Sequence, residues 1–299
     1  MNVGFIGLGN MGGPMAGCIL KTGLPLIVHD IREEVANPLL EKGATWASSP
    51  AEVASRSDIV CVCVPGPPEM EAVSIGPNGA VEGLKPGAVF IDHTTNSPET
   101  VRAVGEVVRQ REAFMLDAPL DGGREGALAG EITVFVGGAQ EALERARPVL
   151  DAFTKSVVWV GELGTGAVTK IVHNALAMGI DLLLAECMTL GVKSGVSMPR
   201  LVEAFSHGCI VNENMTFTKR LPQTLFKGDF TARFALNLAH KDFGLAGALS
   251  TNHGVPTRII DLCQAELLEA MNRGWGDYDR TISSTLQEER ANVQLRTGE

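Results

Sequence analysis

Clusters of basic residues are missing from this 299-residue sequence. Its 25 lysines and arginines are outnumbered by 35 aspartates and glutamates, which gives a formal net charge of -10. Because nucleic-acid phosphates are held by grouped Lys and Arg side chains, we expect no nucleic-acid partner. An anionic ligand would need a positive site built locally.

Long uncharged apolar segments are missing as well. The most apolar stretch, residues 175–190, contains Asp181 and Glu186 and is too short to cross a bilayer, so no membrane association is expected. The N-terminus enters directly into Val3-Gly-Phe-Ile-Gly, without the features of a signal or transit peptide. We therefore expect a cytoplasmic location.

The six cysteines lack the spacing of a metal site. Cys61 and Cys63 would point to the same face of a strand, and no second Cys/His pair at ligand spacing accompanies them. Buried thiols in a reducing compartment are the simpler interpretation, and no bound metal is expected.

What the chain does contain is a change of periodicity near its middle. Short β-branched or apolar runs occupy residues 2–6, 25–29, 59–64, 89–92, 114–117, 132–136 and 157–159. Helical patterns then cover residues 167–193, 198–207, 218–225, 236–250 and 256–272. The first half predicts βαβ units around a largely parallel sheet, and the second predicts helices alone. The polar tail, residues 289–299, is expected to be loosely held.

A glycine motif follows the first predicted strand. Gly7-Leu8-Gly9-Asn10-Met11-Gly12 lies between an apolar strand and a helical pattern, which is the context of a dinucleotide fingerprint. Asp30 ends the next strand, where a carboxylate would accept hydrogen bonds from the adenosine ribose. NAD is favoured, although Arg32 nearby keeps NADP open.

These patterns predict an α/β Rossmann N-terminal domain and an all-α C-terminal domain joined by a long helix. The expected boundaries are residues 1–163 for the nucleotide-binding domain, 164–195 for the helix and 196–299 for the helical domain.

The long helix carries the candidate for proton transfer. Lys170, His173 and Asn174 are spaced to share one face of it. A lysine beside a nicotinamide can exchange a proton with a substrate hydroxyl while hydride moves. Taken alone, however, the spacing of Lys170 favours an ordinary solvated helix residue over a catalytic one.

Four segments together resemble the β-hydroxyacid dehydrogenase family, over nearly the whole chain. They are Phe5-Ile-Gly-Leu-Gly-Asn-Met-Gly-Gly-Pro-Met15, Asp117-Ala-Pro-Leu-Asp-Gly-Gly123, Gly164-Thr-Gly-Ala-Val-Thr-Lys-Ile-Val-His-Asn174 and Lys241-Asp-Phe-Gly-Leu-Ala246. The resemblance implies a Rossmann domain with a helical domain, assembled into homodimers or homotetramers.

The same resemblance implies roles for individual residues. Lys170 would be catalytic, Asn174 would orient the substrate, and Lys241 would close over the nicotinamide. The other implied positions are Gly122 and Gly123, as donors to a substrate carboxylate, and Val64, Pro65 and Thr95, along the cofactor.

Asp121 and His173 depart from the family pattern, which usually has Ser and often has Asn there. A carboxylate at residue 121 would repel a simple anionic substrate. Either Arg124 offsets it, or the substrate presents hydroxyl or amine donors. Asp121 and His173 are therefore kept as substrate-binding candidates.

The predicted function is hydride transfer between NAD(P) and a small β-hydroxy acid or its semialdehyde, with Lys170 as general acid/base. An imine or sugar-acid-derivative reductase on the same fold is one alternative. A non-catalytic nucleotide-binding scaffold is another. The substrate is expected to be a small anionic or polyhydroxy molecule.

Overall fold

The structure, a computed structural model, describes residues 1–193, 195–207, 219–253 and 257–297. It divides into two compact units, Met1–Lys170 and Ile171–Glu299. The boundaries predicted at 163/164 and 195/196 stay a prediction.

A mixed sheet forms the centre of the first unit. Its strands are β1 (Val3–Ile6), β2 (Leu26–His29), β3 (Thr45–Trp46), β4 (Ile59–Val62), β5 (Val89–Asp92), β6 (Phe114–Asp117), β7 (Leu120–Asp121), β8 (Ile132–Gly138) and β9 (Thr154–Gly161). Their order is β3-β2-β1-β4-β5-β6-β8-β7, with β9 on β8. The strands β1 to β6 pair with one another in parallel, and β8 runs antiparallel to β6 and β7. This is the doubly wound nucleotide-binding order, so the predicted Rossmann class is confirmed.

Helices cover both faces of this sheet, which is why its central strands are apolar throughout. They are α1 (Gly12–Lys21), α2 (Asn37–Leu40), α3 (Pro50–Ser55), α4 (Pro67–Ile75), α5 (Ala80–Gly83), α6 (Pro98–Arg109), α7 (Gly123–Ala129) and α8 (Gln140–Leu150). A 3-10 helix, Glu33–Ala36, precedes α2. Because strand side chains alternate, β1 sends Val3 and Phe5 into the core on one face and Ile6 into the core on the other.

The second unit is helical, as predicted. The long helix α9 (Thr165–Lys193) begins in the first unit, and α10 (Met198–His207), α11 (Leu221–Gln223), α12 (Leu236–His253), α13 (Arg258–Asn272) and α14 (Ser284–Ala291) follow it. Asp181, which interrupts the apolar stretch of α9, is buried and pairs with the buried Arg280 at 2.6 Å. Among the described residues, no helix is long and apolar enough to cross a membrane.

Several predicted elements differ from the structure. The two-residue strands β3 and β7 were not predicted, and the helix predicted over 218–225 is only the short α11, with residue 218 outside the described residues. Residue 256, the first of another predicted helix, also lies outside them. The expectation of a loose tail is wrong for residues 289–296: α14 continues to Ala291, Leu295 is fully buried, and Arg296 pairs with Glu288.

Candidate nucleotide and catalytic site

The glycine motif forms the turn from β1 into α1, at the carboxyl edge of the sheet. Gly7 has φ +88°, and a Cβ on it would lie 2.2 Å from the Cys63 carbonyl oxygen. A Cβ on Gly12 would lie 1.9 Å from the Gly7 carbonyl oxygen. A Cβ on Gly9 would meet no protein atom within 4 Å, so packing inside the chain does not require this glycine. Close approach of a phosphate to the backbone does require it, and the loop therefore fits a dinucleotide.

The rest of this motif is held by Asp30 at the end of β2. The Leu8 N–H donates to Asp30 Oδ2 at 2.7 Å, and the Arg32 N–H donates to Asp30 Oδ1 at 2.9 Å. Asn10 is exposed and Met11 half-buried, at the start of α1. Asp30 thus has two roles. It lies where a ribose would bind, as the sequence predicts, and it also fixes the glycine loop, which the sequence did not indicate.

Two neighbouring strand ends extend the same edge. Val64 and Pro65 follow β4, and Thr95 follows β5, which pairs with β4 in parallel. The Val64 N–H donates to Thr94 Oγ1 at 3.2 Å, so the two loops are tied together. In parallel sheets a nucleotide lies outside these carboxyl ends, which places the predicted cofactor residues on one edge.

The start of α9 is tied to β6 by Asp117. Its buried carboxylate accepts the Gly164 N–H at 2.8 Å and the Ala167 N–H at 2.6 Å. Burial raises the pKa of Asp117, and these backbone hydrogen bonds act in the opposite direction. A Cβ on Gly166 would lie 2.4 Å from the Phe135 carbonyl oxygen, so glycine is needed for this close approach. Asp117 thereby caps the start of α9 within the first unit.

Lys170 lies just over one turn into α9 and is only 7% exposed. Its Nζ is 3.6 Å from Oδ1 of Asp121, whose side chain is 40% exposed. Gly122 and Gly123 come directly after Asp121, are exposed, and have φ values of +123° and +64°. Arg124 is exposed as well. The charge of Asp121 is therefore paired with the candidate proton-transfer lysine.

The second unit contains a separate polar group on α9 and α12. The Asn174 Nδ2 donates to Asp242 Oδ2 at 2.8 Å, and both residues are buried. The Lys241 Nζ lies 3.1 Å from Asp242 Oδ1. His173 is half-buried beside Asn174. The hydrogen bond to Asp242 therefore fixes the orientation of the Asn174 amide.

Two buried titratable residues lie at the end of β5: Asp92 is its last residue and His93 follows it. Burial raises the pKa of Asp92 to about 6, and burial lowers the pKa of His93 to about 4. Asp92 accepts the Thr94 N–H at 2.8 Å and the Asn96 Nδ2 at 3.0 Å. His93 Nδ1 lies 2.8 Å from the Ala118 carbonyl oxygen. Asp92 therefore organises the turn that carries Thr95.

The predicted site residues are divided between the two compact units. The first unit holds the glycine motif, Asp30, Val64, Pro65, Thr95, Asp121, Gly122, Gly123 and Lys170; the second holds His173, Asn174 and Lys241. Sequence reasoning did not assign roles to Asp117 and Asp242. Their positions could have indicated a role, because Asp117 begins one of the family-like segments and Asp242 directly follows Lys241 in another.

Family models match the chain over most of its length. One, described as the NAD binding domain of 6-phosphogluconate dehydrogenase, matches residues 2–161. Another, described as the NAD-binding of NADP-dependent 3-hydroxyisobutyrate dehydrogenase, matches residues 164–286. The fold, the glycine loop and these matches define an NAD(P)-dependent dehydrogenase.

Individual relatives cover nearly the whole chain. A probable mitochondrial 3-hydroxyisobutyrate dehydrogenase from Dictyostelium discoideum is 37% identical over 94% of this chain and 88% of its own. A 2-(hydroxymethyl)glutarate dehydrogenase from Eubacterium barkeri is 31% identical over 100% and 99%. The solved structure of Mycobacterium tuberculosis 3-hydroxyisobutyrate dehydrogenase with L-serine is 26% identical, covers 96% and 98%, and has a TM-score of 0.86. The chain belongs to the β-hydroxyacid dehydrogenase family, and the predicted enzyme class is confirmed.

Proposed function

We propose that this enzyme transfers a hydride between NAD(P) and a small β-hydroxy acid or its semialdehyde, with Lys170 as the general acid/base. The observation that carries the proposal is the buried Lys170 ammonium, held 3.6 Å from Asp121 on a helix capped by Asp117. A buried lysine whose side chain is held in one position is suited to proton transfer. A lysine on a solvated helix face would be mobile and would not be held beside a substrate.

The chemistry divides between the cofactor and the chain. Bound NAD(P) supplies the ring carbon that accepts or gives the hydride. During oxidation, the amine form of Lys170 takes the hydroxyl proton as the carbonyl forms. During reduction, the ammonium form of Lys170 returns that proton to the carbonyl oxygen.

In this proposal the remaining predicted residues bind the cofactor or bind and orient the substrate. Gly122 and Gly123 would donate backbone N–H groups to the substrate carboxylate. Asn174, fixed by Asp242, would present its Oδ1 to the substrate, and Lys241 and His173 would add polar contacts. Val64, Pro65 and Thr95 would contact the nicotinamide half of the cofactor.

Asp30 supports a preference for NAD over NADP. Its carboxylate is 9% exposed and held by two backbone N–H groups, so it cannot turn away from a ribose 2′-phosphate. Replacement of Asp30 by Ala should lower the ratio of kcat/KM with NAD to kcat/KM with NADP. An unchanged ratio would mean that Asp30 serves only the loop.

Steady-state kinetics of lysine variants test the central role. Lys170→Ala and Lys170→Arg should lower kcat by roughly 100- to 10,000-fold, because proton transfer is lost while nucleotide contacts are kept. NADH binding, followed by its fluorescence, should change little. Lys155→Ala, at an exposed lysine of β9, is the matched control. Near-normal turnover of Lys170→Ala would refute the assignment.

An imine or a sugar-acid derivative is the second candidate substrate. Asp121 favours it, because a carboxylate suits a cationic or hydroxyl-rich partner better than an anionic one. Turnover of cyclic imines, without turnover of hydroxy acids, would select this candidate.

We further propose that the enzyme is a homodimer or a dimer of dimers formed through its helical unit. An apolar groove of about 670 Å³ lies between α9, α12 and α13. Its rim exposes Val172, Leu176, Ile259 and Leu262, at 52%, 67%, 72% and 58%. Contiguous exposed apolar side chains of this kind are typical of protein interfaces, and a second copy would cover them by two-fold symmetry.

A cytoplasmic location is also proposed, and the free thiols of Cys18, Cys61, Cys63 and Cys263 support a reducing compartment. Fractionation of the source cells tests it, since the Dictyostelium relative is named as mitochondrial.

A further inference from the structure

We infer that Asp121 selects substrates that carry an ammonium or hydroxyl group on the carbon next to the reacting carbon. This inference rests on the proposed function and names the substrate class within it. The chemical class is a β-hydroxy acid with a hydrogen-bond donor at C2.

The position of Asp121 follows from its two neighbours in the first unit. On one side its Oδ1 lies 3.6 Å from Lys170 Nζ, which exchanges a proton with the oxygen on C3. On the other side the chain continues into the exposed Gly122 and Gly123, whose backbone N–H groups would hold the C1 carboxylate under the proposed function. A three-carbon acid bound at both ends therefore presents its C2 substituent to Asp121.

Burial and charge then determine which substituent is accepted. The Asp121 side chain is 40% exposed, while the Lys170 side chain is 9% exposed. A carboxylate has about four acceptor positions, so Asp121 can hold Lys170 and a second donor together. A hydrogen bond from a C2 ammonium would be charge-assisted, and one from a C2 hydroxyl would be weaker. A C2 methylene would leave the carboxylate facing an apolar group.

Three short acids that differ only at C2 provide the test. Serine has an ammonium there, glycerate a hydroxyl and 3-hydroxypropionate two hydrogens. Initial rates of NADH formation are measured for both enantiomers of the first two and for the third, with wild type, Asp121→Asn and Asp121→Ser. Glu125→Gln, which removes an exposed carboxylate of α7, is the matched control.

The expected result is a change in selectivity. Wild type should favour one enantiomer of serine or glycerate over 3-hydroxypropionate by roughly 10- to 100-fold in kcat/KM, the size of a hydrogen bond to a charged group. Asp121→Ser should reduce that ratio at least about tenfold, and Asp121→Asn should reduce it more for serine than for glycerate. The Glu125→Gln ratio should equal that of wild type.

Two results would overturn the inference. An unchanged ratio in both Asp121 variants would show that Asp121 does not contact C2. An equal loss for all three acids would show that it acts only by positioning Lys170. If wild type binds NADH but oxidises none of the acids, the proposed function itself fails, and the inference fails with it. Normal NADH affinity in the variants establishes that they are folded.

Discussion

Asp117 Oδ2 accepts the backbone N–H of Ala167 at 2.6 Å, across 50 residues of sequence. Asp117 ends β6, four residues before Asp121, and Ala167 lies three residues before Lys170. One buried carboxylate therefore links β6, the strand that leads to the substrate-binding candidates Asp121, Gly122 and Gly123, with the helix that carries Lys170.

Removal of that carboxylate should loosen the helix start. Asp117→Ala leaves the buried Gly164 and Ala167 N–H groups without their acceptor, which should cost about 2 kcal/mol in the free energy of unfolding. Amide hydrogen exchange over residues 164–170 should accelerate, and kcat should fall because Lys170 is less well placed. Thermal unfolding and exchange mass spectrometry measure these effects. Glu162→Ala, at an exposed carboxylate two residues before Gly164, is the control. Unaltered exchange over 164–170 would contradict the capping role.

Asp242 should act on the substrate through Asn174. Asp242→Ala removes the acceptor for Asn174 Nδ2 and the partner of Lys241, so the amide loses its fixed orientation. We expect kcat/KM for the hydroxy acid to fall by roughly 10- to 100-fold, the size of a charge-assisted hydrogen bond. Exposed Asp277 provides the comparison variant, Asp277→Ala, which should behave as wild type. Full activity of Asp242→Ala would mean that the Asn174 orientation is unimportant.

The sequence predicted what short-range periodicity specifies. The strands Val89–Asp92 and Phe114–Asp117 have the predicted bounds, because a parallel sheet covered on both faces needs continuous apolar runs. The two-residue strand β7 gives no periodic signal. The burial of Leu295 was missed because isolated apolar residues in a polar tail do not predict burial.

In the candidate site, too, local features could be predicted from the sequence and long-range contacts could not. Motif context predicted the glycine loop and the lysine helix, since neighbouring residues define both. The contacts of Lys170 with Asp121 and of Asn174 with Asp242 join distant segments, and no local pattern encodes such pairs. Family resemblance supplied the segments, but it could not supply the partner of Asp121, where this chain differs from the family.

The apolar groove of the helical unit predicts a concentration-dependent assembly. A Leu176→Glu/Leu262→Glu double variant places two charges on exposed groove residues, so burial against a second copy would carry a desolvation cost. We expect the dimer dissociation constant to rise at least about 100-fold, in line with the loss of two strong interface positions. Sedimentation velocity over a range of concentrations measures it. Leu268→Glu on α13, outside the groove residues, is the matched control. Identical sedimentation of wild type and the double variant would exclude this face.

His93 should make the stability of the first unit depend on pH. It is 2% exposed, between the rings of Phe5 and Phe153, and its Nε2 has no hydrogen-bond partner among the described residues. Burial lowers the pKa of His93 from 6.5 to about 4, so the folded chain favours neutral imidazole. The stability that this preference contributes is fully present above pH 6.5 and is lost as the pH falls through about 4.

A non-titrating variant isolates that contribution. In His93→Asn the side-chain amide can still donate to the Ala118 carbonyl oxygen, but it binds no proton in this range. From pH 7 to pH 4, wild type should lose about 3 kcal/mol of unfolding free energy relative to the variant. Asp92 has its pKa raised to about 6 and so contributes with the opposite sign, but it is present in both proteins and cancels in the difference. Urea unfolding, followed by the fluorescence of Trp46 and Trp159, measures the free energies at each pH. If the unfolding free energies of wild type and His93→Asn change equally from pH 7 to pH 4, the pKa of His93 does not differ between the folded and unfolded chain. Its burial then has no consequence for acid stability.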